Sequence, residues 1–324
     1  MAVIAPFTLH RATSAAHAAA LLARLPGARI IAGGTDLVPN LRRGIGGPTA
    51  LVDVASIPGF DAIVRDGAGW RIGAGATLAA LAGDAELARA LPALAQAADS
   101  VAGPAHRTVA TLGGNLCLDT RCVFYNQSEW WRRANDYCLK LGGSTCHVAP
   151  QGRRCHAAFS GDAAAALLAY DAEVEVTGAQ GARRLPLAAL YADDGARHLT
   201  LAPDELIVAV RIPPQPPGAR SGYRKARVRG ALDFPLAGVA ISAVRDGGRL
   251  AALRVALTGT NSRPLLLADT DALCGAPLDD ALIAALGKRV GKQVGPMRTT
   301  VTSSHYRRQV ASVLAQRLLR ELAD

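Results

Sequence analysis

The chain has 324 residues, 50% hydrophobic and 19% charged, which supplies a sizeable core for two or three domains and excludes a disordered or fibrous protein. A net charge of +10 raises nucleic acid as a partner, but the arginines are scattered and no DNA- or RNA-binding motif accompanies them, so no nucleic-acid function is expected. There is no 18-residue apolar stretch, and the opening run from Met1 to Arg11 lacks a basic region followed by an apolar one; neither a membrane span nor an export signal is expected, and the chain reads as cytoplasmic.

In chain order, Thr13 and Ser14 can cap a helix running to about Leu25, where Pro26-Gly27 stops it. Residues 29–32 read as a short buried strand, 37–41 as helical and 51–54 as a second strand, which together predict a small parallel α/β unit. Residues 70–75 form a predicted strand, Thr77 an N-cap, and 84–98 a single helix. A glycine-bearing loop at 108–117 leads into a cysteine-rich segment. Beyond it come a helix at 162–170 and strands at 172–176 and 206–212. The run Pro213-Pro-Gln-Pro-Pro-Gly218 is a stiff linker and a domain boundary. Residues 238–244 and 250–258 then read as paired strands around Asp246-Gly247-Gly248. Tyr306, Val310, Val313, Leu314 and Leu318 share helical spacing and predict a core-facing helix, with Arg307, Arg308, Arg317 and Arg320 on its other faces.

Four of the six cysteines, Cys122, Cys138, Cys146 and Cys155, fall within 34 residues as C-x15-C-x7-C-x8-C. Phe124, Tyr125, Trp130, Trp131, Tyr137 and Phe159 lie around them, six of the protein's 14 aromatics, and an aromatic shell would keep water from a redox centre. A cytoplasmic chain keeps thiols reduced or places them on metal, so two disulfides are not expected. Zinc usually takes a C-x2–4-C knuckle, absent here, so an iron–sulfur cluster is favoured by spacing, with zinc and unliganded buried thiols left open. Cys117 and Cys274 read as ordinary buried residues. The segment is also basic: Arg121, Arg132, Arg133, Lys140, Arg153 and Arg154 oppose only Glu129 and Asp136. Such a patch either steers an acidic electron carrier or simply faces water.

Gly33-Gly34-Thr35-Asp36 stands at a strand-to-helix turn, where glycines let backbone N–H groups approach a pyrophosphate and Thr35 offers a hydroxyl. Asp36 would repel phosphate and reads as a helix cap. Thr111-Leu-Gly-Gly-Asn115 is a second loop of the same kind. Glycines most often just make turns, but two such loops raise a dinucleotide; neither fits G-x-G-x-x-G, so a Rossmann NAD site is not supported.

Residues 32–37 (Ala-Gly-Gly-Thr-Asp-Leu) and 110–115 (Ala-Thr-Leu-Gly-Gly-Asn) resemble the two FAD loops of the medium, flavoprotein subunits of the xanthine dehydrogenase/molybdenum hydroxylase family. The resemblance runs the length of the chain. It takes in residues 71–77, Gly161-Asp162 entering a helix, Lys225 within 223–229, and 259–264. In most members the second loop runs almost directly into the Asp-containing segment. Here about 40 extra residues intervene, carrying all four cysteines, and residues 104–147 are similar to the flavoprotein (β) subunits of the 4-hydroxybenzoyl-CoA reductase type.

The resemblance implies an α+β fold: a two-subdomain FAD-binding domain of the PCMH/vanillyl-alcohol-oxidase type, divided at 1–57 and 58–215, an iron–sulfur insert at about 117–158, and a small α+β C-terminal domain at 219–324. It implies FAD and a [4Fe–4S] cluster on Cys122, Cys138, Cys146 and Cys155. Ile31, Ala32, Gly33, Gly34, Thr35, Asp36 and Leu37 would hold the pyrophosphate, and Ala110, Thr111, Gly113, Gly114 and Asn115 the flavin and phosphates. Asp162 would accept hydrogen bonds from FAD hydroxyls, Lys225 would lie near the flavin ring, and Val101 would touch FAD through its backbone; a helix cap and a solvated charge are the plain alternatives for Asp162 and Lys225. It further implies partners: a large subunit with the molybdopterin cofactor, a small subunit with two [2Fe–2S] clusters, a dimer of such heterotrimers, and reduced ferredoxin as donor for converting 4-hydroxybenzoyl-CoA to benzoyl-CoA. No catalytic residue is expected in this chain. The competing expectations are a xanthine or carbon monoxide dehydrogenase-like flavoprotein with a structural zinc insert, and a non-catalytic zinc-stabilised scaffold.

Overall fold

The computed structural model describes residues 4–298 and 302–323, so the first three residues of the N-terminal run lie outside it. Strand β1 (Thr8–Arg11), helix α1 (Ala15–Arg24), β2 (Arg29–Ile31), α2 (Leu37–Arg42) and β3 (Ala50–Asp53) build a three-stranded parallel sheet of order β1-β3-β2. Ser14 caps α1 by accepting from the His17 N–H at 3.0 Å. The sequence pattern does not announce β1: its residues are mostly exposed, and only pairing with β3 makes it a strand.

The second layer is a five-stranded antiparallel sheet of order β4-β5-β8-β6-β7, from β4 (Ile63–Asp66), β5 (Gly69–Gly73), β6 (Glu173–Gly178), β7 (Gly181–Pro186) and β8 (Leu206–Ile212). Between β5 and β6 run α3 (Leu78–Gly83), α4 (Ala85–Ala90), α5 (Pro92–Asp99), α6 (Pro104–Arg107), α7 (Leu112–Leu116), α8 (Glu129–Ala134) and α9 (Asp162–Ala169). Thr77 caps α3 as expected. The single helix expected at 84–98 is two helices. Pro92 pushes Leu91 out of the helical region (φ −134°), while Asp84 starts α4 by accepting from the Glu86 and Leu87 N–H groups. Helix α9 is wholly buried; its Ala163, Ala164, Ala165 and Ala166 let it sit close to α5, α7, β10 and β11 at once. That packing carries Asp162 into the middle of the molecule.

After the Pro-rich linker, β9 (Arg220–Ala226), β10 (Ala237–Asp246), β11 (Arg249–Thr258) and β12 (Leu265–Leu266) form an antiparallel sheet of order β12-β11-β10-β9, backed by α10 (Asp280–Gln293) and α11 (Ser304–Ala323). The period-two rule divides its faces. Tyr223, Ala240 and Ala256 join the core of the first 215 residues, and Val239, Ile241, Val255 and Leu257 join a second core under α10 and α11. The expected face of α11 is met in part: Val310 and Leu314 pack against the second core and Leu318 is buried in it, but the two remaining members point outward. Tyr306 and Val313 are 50% and 40% exposed, while Arg307, Ala311, Ala315, Leu318 and Leu319 are buried. Arg307 is inside because its guanidinium donates to three carbonyls, those of Leu236, Gly259 and Met297. Among the described residues no helix is long and apolar enough to cross a membrane.

Candidate functional site

A cavity of about 610 Å³ opens between the parallel sheet, the second layer and the C-terminal sheet. Its wall contains Ile31, Ala32, Gly33, Gly34, Thr35, Asp36, Leu37, Val101, Ala110, Thr111, Gly113, Gly114, Asn115, Asp162 and Lys225, so every residue assigned to FAD from the sequence is brought to one space. The two loops touch through backbone. A Cβ added to Gly33 would lie 2.0 Å from the Val109 carbonyl oxygen, and one on Gly113 would lie 2.9 Å from the Ala74 Cβ. Thr111 turns the second loop by accepting from the Gly114 N–H at 3.1 Å. In the first loop, the N–H groups of Gly33, Gly34 and Thr35 take no part in the surrounding backbone hydrogen bonds, and they are free to meet an anion.

Several side chains are placed otherwise than expected. Asp36 makes no cap hydrogen bond to α2; it is ion-paired with Arg121 and accepts from Asn40 Nδ2 at 3.2 Å. Arg121 thus neutralises the one carboxylate in the phosphate-type loop. Burial lowers its guanidinium to about 10. Asn115 caps α9, its Oδ1 accepting from the Ala163 N–H at 3.1 Å. Asp162 is the first residue of α9, and its carboxylate is spent on other partners: Tyr223 donates to Oδ1 and Lys225 Nζ lies 3.1 Å from Oδ2. Lys225 is not a solvated charge. Its side chain is 5% exposed and donates also to the Ser100 carbonyl. Burial pushes the Asp162 carboxyl up, and the Lys225 ammonium and Tyr223 hydroxyl oppose that push. Val101 uses its N–H on the Ala98 carbonyl, and its own carbonyl accepts from Arg107. Cys117 also lines the cavity, and burial raises its thiol to about 12. Tyr223 escaped the sequence reading, although it stands two residues before Lys225 and so shares its strand face. Leu232, Asp233 and Phe234, from the C-terminal loop after β9, complete the rim.

The cysteine segment is a closed loop. Arg121 and Ala158 exchange two backbone hydrogen bonds of 2.7 Å at its neck. Ser128 caps α8, which carries Arg132 inward. Arg132 is 2% exposed and donates to the carbonyls of Arg43, Gly44 and Gln127 and to Glu129, fastening the insert to the parallel layer. Cys122, Cys138, Cys146 and Cys155 all line one small cavity, with Phe124, Tyr125, Leu139, Lys140, His147, Val148 and Ala157. All four are free thiols. A backbone N–H group points at one of the sulfurs: Ala157 N lies 3.4 Å from Cys155 Sγ. Burial raises Cys155 to about 11, against the Ala157 N–H. Among the described residues no three His, Cys, Asp or Glu side chains are grouped to hold a metal ion. Of the expected aromatic shell, Phe124 and Tyr125 line the cavity and Trp131 packs on Phe124, ring centres 6.1 Å apart. Trp130 is 77% exposed, and Phe159 belongs to the main core against Tyr191. Of the basic residues, Arg132 is structural and Arg154 is held by Asp193 and Ser262; Arg133 and Arg153 remain on the surface.

Residues 5–215 match the family described as the FAD binding domain in molybdopterin dehydrogenase, and residues 221–322 the CO dehydrogenase flavoprotein C-terminal domain. The chain is 37% identical over 276 residues to the aldehyde oxidoreductase FAD-binding subunit PaoB of Escherichia coli (strain K12), covering 82% of this chain and 85% of that one. It is 28% identical over 313 residues to the carbon monoxide dehydrogenase medium chain of Afipia carboxidovorans, covering 96% and 94%. A chain of the reconstituted CO dehydrogenase from Oligotropha carboxidovorans superposes with a TM-score of 0.82 at 26% identity, covering 99% of both chains.

Proposed function

Because the chain belongs to the family of FAD-binding medium subunits of molybdenum hydroxylases, we propose that it is the electron-transfer subunit of a multi-subunit oxidoreductase and that it holds a [4Fe–4S] cluster as well as FAD. The observation that carries the second half is the convergence of Cys122, Cys138, Cys146 and Cys155 on one cavity beside the flavin cavity. An all-thiol donor set, an N–H group aimed at the Cys155 sulfur and mostly apolar walls suit a cluster.

In this reading Gly33 and Gly113 keep the loop backbones close enough to meet phosphate and flavin. The free N–H groups of the first loop bind the pyrophosphate, with Arg121 cancelling the charge of Asp36. Asp162 retains acceptor sites beyond those used by Tyr223 and Lys225, and these can take FAD hydroxyls. Lys225 brings a cation to the same wall. FAD, when bound, supplies the exchange between one-electron and two-electron carriers. The partners in this reading are a large molybdenum subunit and a small subunit with two [2Fe–2S] clusters.

We read the complex as a reductase of the 4-hydroxybenzoyl-CoA type, on the resemblance of the insert. Two electrons from reduced ferredoxin and two protons would replace the phenolic hydroxyl by hydrogen and release water. A second reading is favoured by the 37% identity to an aldehyde oxidoreductase subunit. An aldehyde and water would then give a carboxylic acid, two protons and two electrons, with the electrons leaving through this chain. The first test is the absorbance spectrum of the purified chain with iron, sulfide and zinc analysis. Flavin bands with a broad brown shoulder and iron support the proposal. Flavin with zinc alone points to a structural insert, and a colourless protein overturns both halves. In the assembled complex, flavin bleaching by an aldehyde supports the second reading, and reoxidation of the reduced complex by 4-hydroxybenzoyl-CoA supports the first.

A further inference from the structure

A polar bridge stands between the two cavities. The Lys140 ammonium, on a side chain 7% exposed, lies 2.6 Å from Asp119 Oδ1, 2.5 Å from Thr120 Oγ1 and 3.2 Å from the Thr120 carbonyl, which uses all three of its N–H donors. It also sits 4.1 Å from the centre of the Tyr125 ring. The Tyr125 hydroxyl donates to the other carboxylate oxygen, Asp119 Oδ2, at 2.9 Å. Thr120 hands its own hydroxyl proton to the Gly195 carbonyl, and the Gly195 N–H donates to the Cys155 carbonyl. The pair is therefore fixed in direction. Lys140 and Tyr125 line the thiol cavity, and Asp119 lines the flavin cavity.

A buried pair of this kind adds little net stability over apolar side chains of the same volume, so its orientation is the property that calls for a use. We propose that the Lys140–Asp119 pair is a fixed dipole that sets the potentials of the two redox centres: its ammonium raises that of the cluster on the four cysteines, and its carboxylate lowers that of the bound flavin. The proposal rests on the reading that both cofactors bind. A reduced cluster carries one more negative charge than an oxidised one, and a cation in the cavity wall favours it. A carboxylate on the flavin wall opposes the charge gained on reduction. Away from water, both effects exceed what the same charges would do on the surface. Lys140 and Asp119 are thus positioning residues for electron flow.

The test is a redox titration of the cofactor-loaded chain, following the cluster by electron paramagnetic resonance and the flavin by absorbance. Lys140→Met should move the cluster midpoint down, and the flavin midpoint down by less. Asp119→Asn should move the flavin midpoint up, and the cluster by less. Lys140→Arg should stay near the wild type. A merely structural brace would not give shifts of opposite sign. Unmoved midpoints in variants with full iron and FAD, shifts of the same sign in Lys140→Met as in Asp119→Asn, or loss of both cofactors from both variants would each overturn the proposal. If Lys140→Met alone loses iron, the flavin midpoint of Asp119→Asn decides. A wild-type chain without iron and sulfide instead sinks the cluster reading, and Asp119→Asn then decides the flavin half on its own.

Discussion

Alanine at Gly33 should separate the two flavin loops. Its Cβ would lie 2.0 Å from the Val109 carbonyl oxygen, 2.5 Å from the Val109 carbonyl carbon and 3.1 Å from the Ala110 nitrogen. An ordinary carbon–oxygen contact begins near 3.3 Å, so the loops must part by about 1.3 Å. All three obstructing atoms are backbone, and no rotamer change can relieve the clash. Overpacking of this size costs about 1–3 kcal/mol in stability. Moving the loop also withdraws its N–H groups from the phosphate, and losing one hydrogen bond to a charged group costs about 1.5–3 kcal/mol. That corresponds to roughly tenfold to a hundredfold in Kd. The assay is a titration of flavin-free chain with FAD, followed by quenching of flavin fluorescence, beside a thermal melt. Gly83→Ala is the control. It lies away from the cavity, its Cβ would meet nothing within 4 Å, and the affinity should not change. Wild-type FAD affinity in Gly33→Ala, or equal damage from Gly83→Ala, would refute the reasoning.

Serine at Cys122, Cys138, Cys146 or Cys155 should each remove iron and leave FAD near full occupancy, because the thiols line a cavity separate from the loops; serine at Cys117 or Cys274 should leave iron in place, as metal analysis would show. Lys225→Met leaves the Asp162 carboxylate buried without its cation and should cost about 3–5 kcal/mol by denaturant unfolding; adding Asp162→Asn should recover much of that loss, and strictly additive losses would contradict the pairing. His198 is buried with Nε2 unpartnered, and desolvation, aided by the Lys140 charge, lowers it to about 4 from 6.5. Its folded pKa is depressed, so its contribution is present above pH 6.5 and lost as pH falls toward 4, by about 3 kcal/mol in all. The fall in Tm from pH 7 to 4.5 should therefore be smaller in His198→Gln.

What the sequence made legible was local. Ser14, Thr77, the hairpin at Asp246-Gly247-Gly248 and the strand alternation at 172–176 each carry their signal within a few residues, and each lies where it was expected. The glycine loops were legible for the same reason. The misses are non-local. β1 becomes a strand only through β3, some 40 positions on. Arg307 enters the core because its three carbonyl partners come from Leu236, Gly259 and Met297, and no helical pattern encodes them. Asp36 looked like a cap because its partner, Arg121, lies beyond the second loop. The Lys140–Asp119 pair was hidden within a run of charges that read equally well as a solvated face.

The hold of Arg132 on the carbonyls of Arg43 and Gly44 bears on how the protein matures. These contacts close a separation of 88 and 89 residues, and such closures come late because the chain between must first be ordered. The cysteine segment has little regular structure of its own beyond the six residues of α8 and a 3-10 turn at Leu139–Leu141. Its ordering is thus borrowed from a layer made earlier in synthesis. Iron would be delivered to a body already folded, through a segment that remains the last to close. Limited proteolysis of iron-free chain should cut there first, and a peptide of residues 117–158 alone should not gather its thiols into one place.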